Sequence, residues 1–342
     1  MIPGVRAALF QAADRPGYCK LRVAATEIKS TIFGHAEFTS FNASANTLFA
    51  NWSATNAMRL KGIAQGVHPK ALIETIAEDL LAAFEHAPLL DPYDIYQHLR
   101  DYWAETMQDD CYLIAGDGWR EAAQPRLLVD DKAKKTKAKP DLTLGKKKYQ
   151  AELIPPALVI ARYYAKAQAE VEALEAQVAD FQQQMEEMAE EHGGEDGLLE
   201  EAKNDKGKLT RASAASRTKE IKTDSDAADE LKLLKDYLDL SESESAASAT
   251  LNVAQNSLIE RVAAKYGQLT EDEIKTLVVD GKWMATLAAA MQSELARVSQ
   301  TLTGRIRQLA ERYATPLPQL TAEVAALATR VEARLQQMGC TP

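Results

Sequence analysis

Apolar residues in this chain recur mainly at helical spacing. The longest run is Ile160, Tyr164, Ala167, Val171, Leu174, Val178, Phe181, Met185 and Met188, at alternating steps of four and three. Such a heptad seam marks a long helix that packs on another helix. It predicts a helix over 156–192, on the order of 55 Å long. Pro155 and Pro156 stand at its start, where missing amide donors cost least. The cluster Gly193-Gly194-Glu195-Asp196-Gly197 stops it.

Earlier segments read the same way. From Glu37, the residues Phe38, Phe41, Ala45, Leu48, Phe49 and Trp52 share one face. Pro69 opens a second helix striped by Leu72, Ile73, Ile76, Leu80, Leu81 and Phe84, and Pro88 closes it. Asp91 and Pro92 are N-cap and first residue of a third, which buries Ile95, Leu99 and Trp103. Cys111–Ile114 is a strand candidate and Leu127–Val129 a second, joined around the turn Gly116-Asp117-Gly118. Asp109 and Asp110, like Asp91 and Asp94, read as caps and solvated charges and not as an acid/base pair, and residues 1–24 show no period.

Past the seam, Leu198–Asp229 is polar and aperiodic, as in a mobile loop or frayed tip. Leu231, Leu234 and Leu238 restart a helix, and Leu251, Leu258 and Val262 carry it to Tyr266. A serine-rich run at 241–249 weakens the join. The simplest geometry is a helical hairpin. Thr270 with Glu273 is a capping box. Gly281 interrupts that helix, and Trp283 begins another through Met291, Leu295, Val298, Leu302, Ile306 and Leu309. After Pro316 and Pro318 a final helix carries Leu320, Val324, Leu327, Val331 and Leu335, again near heptad spacing.

The expected fold is mainly α: a small helical module with a short β-hairpin, then long antiparallel helices with a coiled-coil-like hairpin. Its segments are 1–24 connector, 25–130 helical module, 131–150 Lys-rich linker, 151–268 long hairpin with polar tip, and 269–342 carboxy-terminal helices. Composition agrees, with aromatics at 6% and only 16 glycines in 342 residues.

Charge changes the picture. Net charge is −10, yet Gln168–Ala202 alone holds twelve acids and no Lys or Arg, so the remainder sums to about +2. The seam helix is therefore a poor DNA contact. Lys132–Lys148 holds eight lysines and one acid, Asp141. It reads as a solvated loop or as a phosphate-backbone contact through Lys134, Lys135, Lys137, Lys146, Lys147 and Lys148. Three scattered cysteines, no span of about 18 apolar residues and no secretory leader pattern point to a cytoplasmic protein.

No catalytic constellation emerges. Gly116-Asp117-Gly118 leads into no periodic helix, as a cofactor loop should. Ile154-Pro155-Pro156-Ala157 lacks the polar residue and the aromatic of an adenine-methyltransferase Pro-Pro motif. The histidines His35, His68, His86, His98 and His192 have no metal-type partner at helical spacing. Catalytic, cofactor-binding and metal residues are expected to be absent.

Other segments carry a resemblance. They are Glu27-Ile28-Lys29, Ile32-Phe33-Gly34-His35-Ala36-Glu37-Phe38, Leu90–Gln97, Tyr102-Trp103 and Met107–Asp110. Further on come Leu153-Ile154-Pro155, Glu191–Gly197, Leu269–Trp283, Leu309–Tyr313 and Thr315–Pro318. Their order resembles the region downstream of the catalytic domain in type I restriction-modification methylation subunits, which are N6-adenine DNA methyltransferases. The resemblance implies the carboxy-terminal part of such a subunit: a fragment, a split gene product or a decayed locus. Its catalytic signatures lie upstream, so S-adenosylmethionine belongs to the complete member and no catalytic residue is carried over. The implied partners are a specificity subunit, a restriction subunit, the catalytic part of the methylation subunit and double-stranded DNA. In the family the carboxy-terminal helices pack on the specificity subunit, and the seam of Val171, Leu174, Val178, Phe181, Met185 and Met188 suits that role. A stand-alone coiled-coil scaffold, its seam closed within the chain, is the alternative.

Overall fold

The computed structural model describes residues 3–13, 17, 19–128, 139–194, 197–224, 226–313 and 317–339, without the side chains of 317 and 318. The chain is mainly helical. In order come α1 (Pro3–Leu9), β1 (Phe10–Ala12), β2 (Cys19–Leu21), α2 (Ile28–Phe33), α3 (Ala36–Lys61), α4 (Pro69–Phe84) and α5 (Pro92–Tyr102). A π-helical turn, Trp103–Met107, leads into α6 (Gln108–Asp117). Next are α7 (Trp119–Ala122), β3 (Arg126–Leu127), β4 (Leu142–Leu144), β5 (Lys147–Gln150), α8 (Pro156–Tyr163) and α9 (Ala165–His192). They are followed by α10 (Arg211–Glu220), α11 (Ala228–Tyr266) and α12 (Glu271–Lys275). A second π segment, Thr276–Met284, runs into α13 (Ala285–Arg312), and α14 (Leu317–Gln337) closes the series. The chain divides into two compact units, Met1–Gly116 with Val279–Pro342, and Asp117–Val278.

In the first unit α3 buries Phe38, Phe41, Ala45, Phe49 and Trp52, the face its spacing predicts. The Trp52 indole donates to the Ile76 carbonyl of α4 at 3.1 Å, so its one polar atom is satisfied inside the core. Asp91 caps α5 by accepting from the Tyr93 amide at 2.9 Å. The expected connector 1–24 has structure of its own: α1 buries Val5 and Leu9, and β1 pairs antiparallel with β2 from Phe10↔Leu21 to Ala12↔Cys19.

Three local expectations fail here. Cys111–Ile114 is helix, not strand. Trp103, Met107, Cys111 and Ile114 are buried at steps of four and three, a period that four residues alone cannot reveal. Gly116-Asp117-Gly118 is consequently no hairpin turn: Asp117 ends α6, and Gly118, at φ +79°, precedes α7. Nor does Gly281 interrupt a helix. It lies inside the π segment, and helical structure is unbroken from Glu271 to Arg312.

In the second unit β3, β5 and β4 form an antiparallel sheet in that order. The described part of the expected Lys-rich linker is therefore a β-hairpin. Gly145 supplies its tight turn at φ +59°, a conformation glycine adopts without a Cβ penalty. The predicted seam helix is broken at Tyr164, whose φ of −130° separates α8 from α9. In contrast, the serine-rich run does not weaken α11, which is continuous over 39 residues. Ser243 and Thr250 turn their hydroxyls back onto the carbonyls of Asp239 and Ala246, so they need no outside partner.

Candidate functional site

The seam residues lie on α9, and α11 runs antiparallel along it. Three contacts fix the direction: Tyr164 with the Arg261 carbonyl at 3.1 Å, Glu175 with Gln255 at 2.8 Å, and Gln182 with Glu244 at 2.9 Å. Val171 and Val178 are buried, while Leu174, Phe181, Met185 and Met188 are half-buried. The register sets Phe181 across from the Ser/Ala-rich part of α11, where Ala247 is buried. Small residues there let the two backbones approach. The acids of α9 from Glu170 to Glu187 point to solvent.

Met185 and Met188 meet a core that the sequence hides. Leu199, Ala202, Ala214, Ile221, Leu234 and Tyr237 form a buried cluster, and both methionines pack against it. The expected mobile tip at 198–229 is, in its described residues, a folded cap. Asn204 accepts from the amides of Lys206 and Lys208, at 3.0 and 3.1 Å, and Gly207 takes φ +70° to close that turn. Thr210 and Ser213 make a capping box at the start of α10. Arg217 donates to both carboxylate oxygens of the buried Glu230, at 2.7 and 3.2 Å, and also pairs with Glu201. These hydrogen bonds to Glu230, more than the surrounding charges, raise the Arg217 pKa. Arg217, Glu201 and Glu230 are therefore structural.

Of the lysine candidates, Lys134, Lys135 and Lys137 lie outside the described residues. Lys146, Lys147 and Lys148 are exposed at the β4–β5 turn. Lys147 and Lys148 are successive strand residues, so they face opposite sides of the sheet.

A charged centre that the sequence reading missed belongs to the first unit. Asp110 is only 5% exposed. Its Oδ2 accepts from Lys282 Nζ at 2.7 Å and from the Trp283 indole at 2.8 Å. Burial raises the Asp110 pKa, and the Lys282 charge and both donors oppose that rise. Reading Asp110 as solvated was wrong because its partners lie far along the chain, and no local spacing signals them. Beside it, burial pushes the Cys111 thiol up to about 12. Both residues hold the fold together. Among the described residues no three His, Cys, Asp or Glu side chains converge as a metal site, and no helix is long and apolar enough to cross a membrane.

The segments that carry the family resemblance fall at junctions. His35 caps α3 by accepting from the Glu37 amide at 3.2 Å. Glu37 in turn accepts from the amides of Gly4 and Val5, at 2.7 and 3.2 Å, which anchors α1. The Ile154 carbonyl accepts from the buried Tyr266 hydroxyl at 2.6 Å. A Cβ on Gly197 would collide with the His192 backbone. Thr270 and Glu273 cap α12 reciprocally, and Glu273 also accepts from the Tyr163 hydroxyl at 2.9 Å.

A scan of family models and searches of curated proteins and of solved structures find no match to this chain.

Among the described residues, α14 presents an exposed apolar stripe. Every described side chain of α14 from Gln319 onward is exposed. Leu320, Val324, Leu327 and Val331 are 44, 66, 55 and 57% exposed, and they fall on one stripe. A helix of 21 residues in a protein draws most of its stability from packing an amphipathic face. A stripe of this regularity is the signature of a helix made to pack on another.

Proposed function

We propose that this chain is a non-catalytic docking module, the carboxy-terminal part of a type I restriction-modification DNA adenine methyltransferase subunit. The exposed apolar stripe of α14 carries the docking half of this reading. The ordered family resemblance over most of the chain supports the other half. In this reading the specificity subunit supplies the helices that α14 meets in the assembly. The catalytic part of the methylation subunit brings S-adenosylmethionine, the restriction subunit completes the complex, and lysines of the 132–148 run contact the DNA backbone.

Docking moves from the place first expected. The seam on α9 is largely spent on α11 and on the cap, whereas among the described residues α14 presents an exposed apolar helix face. Co-purification with the cognate specificity subunit tests the reading: a complex at micromolar concentration supports it, and none contradicts it. A measurable affinity for S-adenosylmethionine in this chain alone would contradict the non-catalytic half.

One observation favours a second reading, a stand-alone coiled-coil scaffold. The α9–α11 hairpin closes on itself and needs no methyltransferase. The upstream reading frame separates the two, since a catalytic half encoded there supports the methylation subunit.

A further inference from the structure

We propose that in the free chain α14 pairs with α14 of a second copy, antiparallel. This rests on reading α14 as a docking element, and it names the occupant of the stripe when no other helix is present.

The argument is one of register. Val324 and Val331 take heptad position a, and Leu320 and Leu327 take position d. Arg334 then falls at the next d, while Glu323 and Arg330 occupy g positions flanking the seam. In a parallel pair like meets like. Arg334 would face its own copy in the core, and Glu323 and Arg330 would have Ala328 and Leu335 across from them in place of opposite charges. In an antiparallel pair a layers with d. Val324 meets the second copy's Leu327, Leu320 meets the second copy's Val331, and the two-fold axis repeats both layers.

The same register sets Glu323 beside the second copy's Arg330, and the symmetry makes this contact twice. Arg334 moves to the end of the seam, away from its counterpart. Thr321 and Ala328 lie along the other flank and are small enough for close approach. Glu323 accepts from Gln319 one turn earlier, at 3.1 Å, which presents its carboxylate along the helix surface. Apolar layering and charge placement thus select one arrangement, an isologous two-fold contact.

The test uses the full chain in sedimentation velocity across a dilution series. Wild type should dimerise reversibly. Leu327→Glu should weaken the dimer on the order of a hundredfold or more, because both copies lose a core layer. Its fold should survive, since the described side chains of α14 from Gln319 onward are exposed. Glu323→Arg should weaken the dimer about tenfold, and adding Arg330→Glu should restore it. A monomeric wild type at about 100 μM, far above a micromolar Kd, would overturn the proposal. So would a dimer indifferent to the charge swap. Failure of the underlying reading looks different: a monomeric chain that still binds the specificity subunit through Leu327 sinks self-pairing alone. A chain that dimerises yet ignores the specificity subunit sinks the methylation setting alone.

Discussion

At the scale of single residues, the buried charged and thiol groups in and beside α6 serve the fold. Asp110 and Lys282 form a buried ion pair 172 positions apart in sequence, completed by the Trp283 indole. Removing either partner leaves an uncompensated charge inside the first unit. Asp110→Ala and Lys282→Ala should each cost about 3–5 kcal/mol in denaturant melts, while an apolar pair at both positions should recover most of it. A double-mutant cycle with no coupling would remove the pair from this role. Cys111 offers a simpler check. Its thiol, held near 12 by burial, should resist a disulfide reagent at neutral pH, while the exposed Cys19 reacts at once in a Cys340→Ser background. Equal reactivity would mean that the α6 core opens readily. None of these roles was legible in the sequence, because each depends on a partner brought close only by folding. Asp91 and Thr270 were legible because their partners lie within three residues.

At the scale of elements, the long helices were readable and the short apolar runs were not. The stripes on α3 and α4 repeat often enough to fix their period, whereas Cys111–Ile114 fits strand and helix equally. The cap at 197–222 escaped notice because its core is assembled from single apolar residues spread over polar turns. Tight packing of α11 on α9 predicts that Ala247→Leu overpacks the hairpin and costs about 1–3 kcal/mol. An unchanged melt would place Ala247 at a loose contact. Glu273 gives a pH signature. Amide donation within its capping box, then the Tyr163 hydroxyl, hold its carboxyl down to about 2, against an ordinary value of 4.5. A depressed folded pKa contributes stability that is full above 4.5 and is lost as pH falls toward 2. Glu273→Gln should therefore flatten the acid limb of the stability curve over that window, and an identical acid limb would contradict the cap's energetic role.

For the whole molecule, the mainly helical fold follows from periodicity. What sequence spacing could not reveal is which apolar seam would be satisfied internally. The seams on α9 and α14 look alike as strings of letters, yet one is closed by α11 and the cap while the other stays exposed. DNA contact has its own test: replacing Lys134, Lys135 and Lys137 together should reduce the salt dependence of DNA binding by about one slope unit per lost phosphate contact. An unchanged slope returns that run to solvent. The central proposal is that α14 is the docking helix of a methylation assembly. Its most direct measurement is a pull-down of the cognate specificity subunit by the full chain, wild type beside Leu327→Glu. A complex with wild type at micromolar concentration that the substitution abolishes is the expected result. No complex, or equal capture by both proteins, would contradict it.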